Sequence, residues 1–85
     1  MIAWSARALA SRLEAWRTNE PAYRALADRI RLLILDGVVA AGTRLPAERE
    51  LAAELGVSRT TVAACYAALR EDGSIESMRG SGSVA

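Results

Sequence analysis

Apolar residues recur at three- and four-residue steps in four separate stretches of this chain, the spacing of helices that each bury one side. In the first stretch Leu9, Leu13 and Trp16 share a stripe, while Arg7, Arg12 and Glu14 lie away from it. Ser5 stands where an N-cap belongs, so the spacing predicts a helix over 5–16. Thr18-Asn19-Glu20 reads as a break, and Pro21 then sits where a first helical turn tolerates proline. Tyr23, Leu26, Ile30, Leu33 and Ile34 predict a second helix over 21–36, the central one of the core. Gly37 is suited to end it in the left-handed conformation. After a loop containing Gly42, Pro46 marks the entry to a third helix over 47–55. Glu48 and Glu50 complement the positive end of that helix, although no Ser, Thr, Asp or Asn is placed to cap it. Gly56 interrupts, and Ser58 caps a fourth helix that continues to about Asp72 and stops at Gly73.

The tail has a different texture. Between 74 and 84 the chain is rich in Gly and Ser, with a polar tip at Arg79-Gly80-Ser81-Gly82 between two short segments able to pair. A small β-hairpin is predicted here, and a two-stranded hairpin needs support from the helices. The same composition also suits the start of a flexible linker. The organisation expected is an N-terminal helix and connector over 1–19 and a compact unit over 20–85. The fold class is mainly α with a small β-hairpin.

Composition supports this reading. Of 85 residues 52% are apolar, Phe is absent, and there are two Trp and two Tyr, which favours helix-on-helix packing over a sheet sandwich. No run is long and apolar enough to span a bilayer, and Arg7, Arg12, Glu14 and Arg17 interrupt the start where a secretory signal would be apolar. A single Cys cannot form an internal disulfide; the chain fits the reducing cytoplasm, with Cys65 as a small core residue. The net charge is only +1, and every basic residue is Arg, so the placement of individual arginines matters more than their sum.

The stretch from Glu48 to Ala67 carries the most information. Leu51, Ala52, Leu55, Val57, Val62 and Cys65 are spaced to enter one small core from two short helices meeting at Gly56. That leaves Ser58, Arg59, Thr60, Thr61 and Ala63 facing outward at the start of the second helix. An ordinary helical hairpin also buries its leucines, but it has no reason to open a helix with an arginine and three hydroxyls. Small Ala52 at the crossing, Gly56 at the corner and Val57 plugging it match a helix-turn-helix, whose second helix enters the DNA major groove.

Arg59 is the candidate for base contact, because a guanidinium donates two parallel hydrogen bonds to guanine O6 and N7. A cation in a helix's first turn opposes the dipole, and a negative partner offsets that cost. Thr60 and Thr61 can bond phosphate or touch a thymine methyl, and Ser58 can cap the helix while its N–H meets a phosphate. Arg49, in the first turn of the preceding helix, has two readings: phosphate contact, or a surface ion pair with Glu50 or Glu54. Arg44, just before that helix, is open between the same alternatives. Arg79 beside Gly80 can reach a minor groove or the flanking backbone as a wing, or be a linker charge. The N-terminal helix, with Trp4 and Trp16, either packs on the domain or presents an apolar stripe to a partner.

Enzyme chemistry finds no support. Without His there is neither a His-based triad nor an imidazole metal site, and one Cys without a base is not an activated thiol. Glu48, Glu50, Glu54, Asp72 and Glu76 lack metal-loop spacing. The binding rivals are a protein-interaction module and an assembly domain that tethers a catalytic partner.

From Pro21 to Val84 the sequence resembles the GntR-type winged helix-turn-helix domain. The residues that carry the resemblance are Leu45-Pro46-Ala47-Glu48-Arg49-Glu50-Leu51-Ala52, Leu55-Gly56-Val57-Ser58-Arg59-Thr60-Thr61-Val62, Leu69-Arg70-Glu71-Asp72-Gly73 and Arg79-Gly80-Ser81-Gly82-Ser83, in that order. Tyr66 in Cys-Tyr-Ala-Ala-Leu, the Gly-Ser-Gly-Ser tip and Leu13-Glu14-Ala15-Trp16-Arg17 are similar to the MocR branch. The resemblance implies base and phosphate contacts for Arg49, Ser58, Arg59, Thr60, Thr61, Arg79 and Gly80. It also implies a reader of double-stranded DNA whose dimerisation, effector response and pyridoxal phosphate belong to an aminotransferase-like domain outside this sequence. This chain itself is expected to hold no cofactor and to be mostly monomeric. Three departures stand out: Ala47 replaces a common capping Ser, Ala63 replaces a common Arg, and Ser74-Ile75 replaces a more apolar or aromatic pair. The last predicts a weakly anchored wing.

Overall fold

The computed structural model describes residues 2–13, 16–78 and 82–85, with the side chain of Met78 excepted. Four helices are followed by a hairpin: α1 Ala6–Arg12, α2 Ala22–Leu35, α3 Glu48–Leu55, α4 Arg59–Glu71, β1 Glu76–Met78 and β2 Gly82–Val84. Helix α4 packs against α2 and α3, and α1 covers α3. No described helix is long and apolar enough to cross a membrane.

The core is made by the stripes the spacing predicts. Leu9, Leu13, Leu26, Ile30, Leu51, Val62, Cys65 and Leu69 are wholly buried, with Leu55, Val57, Tyr23, Leu33 and Ile34 packed around them. Each fully buried aliphatic side chain contributes about 1.5–3 kcal/mol. Burial pushes the Cys65 thiol up to about 12, so it stays protonated and inert among its apolar neighbours.

Helix α1 is shorter than the spacing predicts. It ends at Arg12, where the N–H of Leu13 turns back to the Ala10 carbonyl at 3.1 Å. Trp16 lies beyond the helix yet is 8% exposed. Apolar spacing reports which side chains reach the core, and a chain that leaves the helix early can still bury the next one.

The helix ends follow local chemistry. Gly37 and Gly56 both have positive φ, 78° and 70°, where a side chain would be strained. Ser5 and Ser58 cap α1 and α4 by accepting from the N–H groups of Ala8 and Thr61. Ala47 gives α3 no side-chain cap, and the acids Glu48 and Glu50 occupy its first turn.

Strands β1 and β2 are antiparallel, with Glu76 opposite Val84, Ser77 opposite Ser83 and Met78 opposite Gly82. The hairpin is not alone. Arg44 bridges Val84 antiparallel, and Ala3 bridges Arg44 parallel. Hydrogen bonds of 2.8–2.9 Å run from Leu45 N–H to Ser83 O, Ala85 N–H to Thr43 O, Arg44 N–H to Ile2 O and Trp4 N–H to Arg44 O. The segment before α1 and the loop before α3 therefore extend the sheet beside the wing.

The wing is anchored more firmly than its sequence predicts. Ile75 is 1% exposed, and both the N–H and the hydroxyl of Ser74 bond Asp72 Oδ1, at 2.9 and 2.6 Å. The other Asp72 oxygen accepts from Arg31 of α2 at 2.8 Å, and Arg31 also reaches Asp28 at 2.7 Å. The buried Ile75 and an Asp–Ser turn anchor the start of the wing.

Candidate nucleic-acid interface

Helices α3 and α4 meet at Gly56, and the first turn of α4 projects beside the first turn of α3. Tyr66 sets their separation: it is 2% exposed, and its hydroxyl donates to the Pro46 carbonyl at 2.8 Å. Burial also raises the Tyr66 pKa, which keeps the phenol a donor.

Along this seam runs an open cleft of about 400 Å³, whose charged lining is Arg44, Glu48, Arg49, Glu50 and Arg59, with Gly82 and Ser83 from the wing. Three arginines, from the loop before α3, from α3 and from α4, thus share one concavity. Arg59 points outward, with 72% of its side chain exposed. Its Nε lies 3.9 Å from Glu48 Oε1, a partner eleven residues earlier that helix spacing alone does not reveal. Arg44 and Arg49 are exposed, and neither forms an ion pair among the described residues, so the surface pairing of Arg49 with Glu50 or Glu54 is not formed.

Ser58 and Thr60 are exposed. Thr61 is only half-exposed: its hydroxyl lies 2.9 Å from that of Ser58, and its N–H bonds Ser58 Oγ at 3.1 Å. Ala63 is half-buried rather than outward, because it follows Val62 on the turn that meets the core. Arg79 and Gly80, at the predicted wing tip, lie outside the described residues. Ser83 of β2, paired with Ser77, accepts from Arg70 of α4 at 3.1 Å, which ties β2 to that helix. Among the described residues no group of His, Cys, Asp and Glu could hold a metal ion.

Spacing could have found Tyr66, which falls four residues after Val62 on the buried side of α4. Glu48, Arg70 and the Arg31–Asp72 pair depend on contacts between elements and leave no periodic signal.

A three-helix core with a corner-joined helix pair and a flanking hairpin is a winged helix-turn-helix. Residues 22–84 match the family described as bacterial regulatory proteins, gntR family, and the chain belongs to that family. It is 48% identical over 62 residues to a probable rhizopine catabolism regulatory protein, MocR, of Rhizobium meliloti, covering 73% of this chain and 13% of that protein. Among solved structures it is similar to YtrA from Sulfolobus acidocaldarius, a GntR-family transcription factor, with a TM-score of 0.76 and 36% identity over 81% of this chain and 72% of that one. It is also similar to the AraR DNA-binding domain in complex with operator ORX1, with a TM-score of 0.71 and 29% identity over 78% and 80% of the two chains. The chain is a GntR-type DNA-binding domain and not an enzyme by itself. It spans between about an eighth and a quarter of the length of the first curated relatives it matches.

Proposed function

We propose that this chain reads duplex DNA with α4 in the major groove, as the N-terminal reader of a longer MocR-like regulator. Arg59 contacts a guanine through its guanidinium fork. Arg49 and Arg44 bind phosphates on either side and hold the register. Ser58 and Thr60 meet the backbone at the helix start, with Thr61 keeping that start capped. The wing, with Arg79 and Gly80 at its tip, lies on the minor groove or the flanking backbone. Residues 20–85 form the reading unit and residues 1–19 an extension of it. The observation that carries this reading is the exposed Arg59 in a cleft shared with the wing strand and with Arg44 and Arg49, which form no ion pair among the described residues.

With few phosphate contacts, the isolated chain binds weakly, in about the micromolar-to-sub-millimolar range of non-specific binding. Tight, selective binding then needs two copies on neighbouring half-sites. In our reading the surface that pairs them lies outside this chain, which is mostly monomeric. Pyridoxal phosphate, if the longer protein uses it, also belongs outside. A regulator of bacterial genes works in the cytoplasm.

The test is selection of bound duplexes from a random pool, followed by titration of Arg59→Ala on the selected site. Loss of about 1–3 kcal/mol with relaxed preference at one base pair is expected. Unchanged binding and preference would overturn the role given to Arg59.

A further inference from the structure

The cleft that holds the three arginines is also lined by two carboxylates, Glu48 and Glu50, and Glu48 is the one that faces Arg59. Glu48 stands in the first turn of α3 with 27% of its side chain exposed, and its Oε1 faces Arg59 Nε. A negative charge there repels the duplex and weakens every backbone contact nearby. Both acids complement the helix dipole, and Glu48 differs from Glu50 in facing Arg59.

The atom that Glu48 faces gives that charge a role. An arginine has five N–H donors, and a partner at Nε leaves the two terminal nitrogens free. The two terminal nitrogens offer a two-donor edge for guanine O6 and N7. A long arginine side chain that is 72% exposed samples many rotamers, and each one lost on binding lowers affinity. A half-buried carboxylate 3.9 Å from Nε, beyond hydrogen-bond distance, attracts the guanidinium electrostatically and biases the side chain toward rotamers that keep it beside the first turn of α3.

We infer that Glu48 is a positioning residue for Arg59 and, through it, a determinant of guanine preference at one base pair. This rests on the DNA-reading function proposed above. Glu48 weakens general attraction to DNA and sharpens the choice among sequences.

The test compares the parent chain with Glu48→Gln, Glu48→Asp, Arg59→Ala and the Glu48→Gln/Arg59→Ala pair. Each is titrated at one salt concentration on the selected duplex, on its single-base variants and on random-sequence duplex, with thermal unfolding followed in parallel. Glu48→Gln is expected to lower guanine preference about tenfold at the same base pair that Arg59→Ala affects. It should also bind random duplex more tightly. The double variant should match Arg59→Ala in preference, because the carboxylate acts through the arginine. Glu48→Asp keeps the charge at the helix start but withdraws it from Nε, and it should lose preference as Glu48→Gln does.

Parent-like preference in Glu48→Asp would reduce Glu48 to a helix-end charge and overturn the inference. So would an unchanged preference in Glu48→Gln while Arg59→Ala loses it. A further loss in the double variant would make Glu48 a direct reader of a base and would also overturn it. If Arg59→Ala itself is silent, the proposed reading of DNA by Arg59 fails first, and the two failures are thereby distinguished.

Discussion

The hydroxyl of Tyr66 donates to the carbonyl of Pro46, and this single buried bond of 2.8 Å joins the middle of α4 to the entry of α3. The two helices carry Arg59 and Arg49, so the spacing of the cleft depends on it. Tyr66→Phe keeps the ring and removes the donor. It is expected to cost about 1–3 kcal/mol, because a buried carbonyl is left without its partner. Urea unfolding checks this; a change below about 0.5 kcal/mol, the usual range for surface substitutions, would show the bond to be incidental.

Acid should loosen the wing through Asp72. The Ser74 hydroxyl, helped by the Ser74 N–H and Arg31, holds this carboxyl below its usual range against the opposing effect of desolvation. A depressed folded-state pKa means that the unfolded chain binds the proton more readily. The stabilisation is therefore complete above the unfolded value of about 3.9 and is lost as pH falls through the lower folded value. Thermal unfolding from pH 6 to pH 2 should fall more steeply in the parent chain than in Asp72→Asn. Parallel curves would show that Asp72 does not contribute.

Arg70 couples the wing to α4 through Ser83. Arg70→Ala should leave base preference intact, because it touches the wing and not the outward turn of α4. It is expected to weaken binding to all duplexes alike and to reduce the salt dependence by about one phosphate contact, if the wing meets the backbone as proposed. Titrations at several salt concentrations measure both quantities, and a shifted base preference would contradict this assignment.

Much of the fold was legible beforehand because helices announce themselves locally. Ser58 as cap, Gly37 and Gly56 as left-handed stops, and the stripes through Leu26, Ile30, Leu51 and Val62 each follow from one residue's conformational preference or from 3.6-residue spacing. The exposure of Arg59 was legible for the same reason. Helix α1 shows the limit: its stripe located the buried side chains of Leu13 and Trp16 but overran the helix. The wing shows another. Ser74-Ile75 reads as weak until Asp72 and Arg31 arrive from α4 and α2.

By itself the sequence determined the four helices, the corner at Gly56, the buried stripes and the polar start of α4, since these depend on neighbours within a few positions. Only the tertiary structure decided that Arg44 lies between Ala3 and Val84 in a small sheet, that Glu48 faces Arg59, and that Tyr66 reaches Pro46. Those contacts join residues 11 to 41 positions apart, and nothing periodic encodes them. They arise when packing the apolar stripes brings the elements together, because charges and hydrogen-bonding groups on those elements must then satisfy one another at short range.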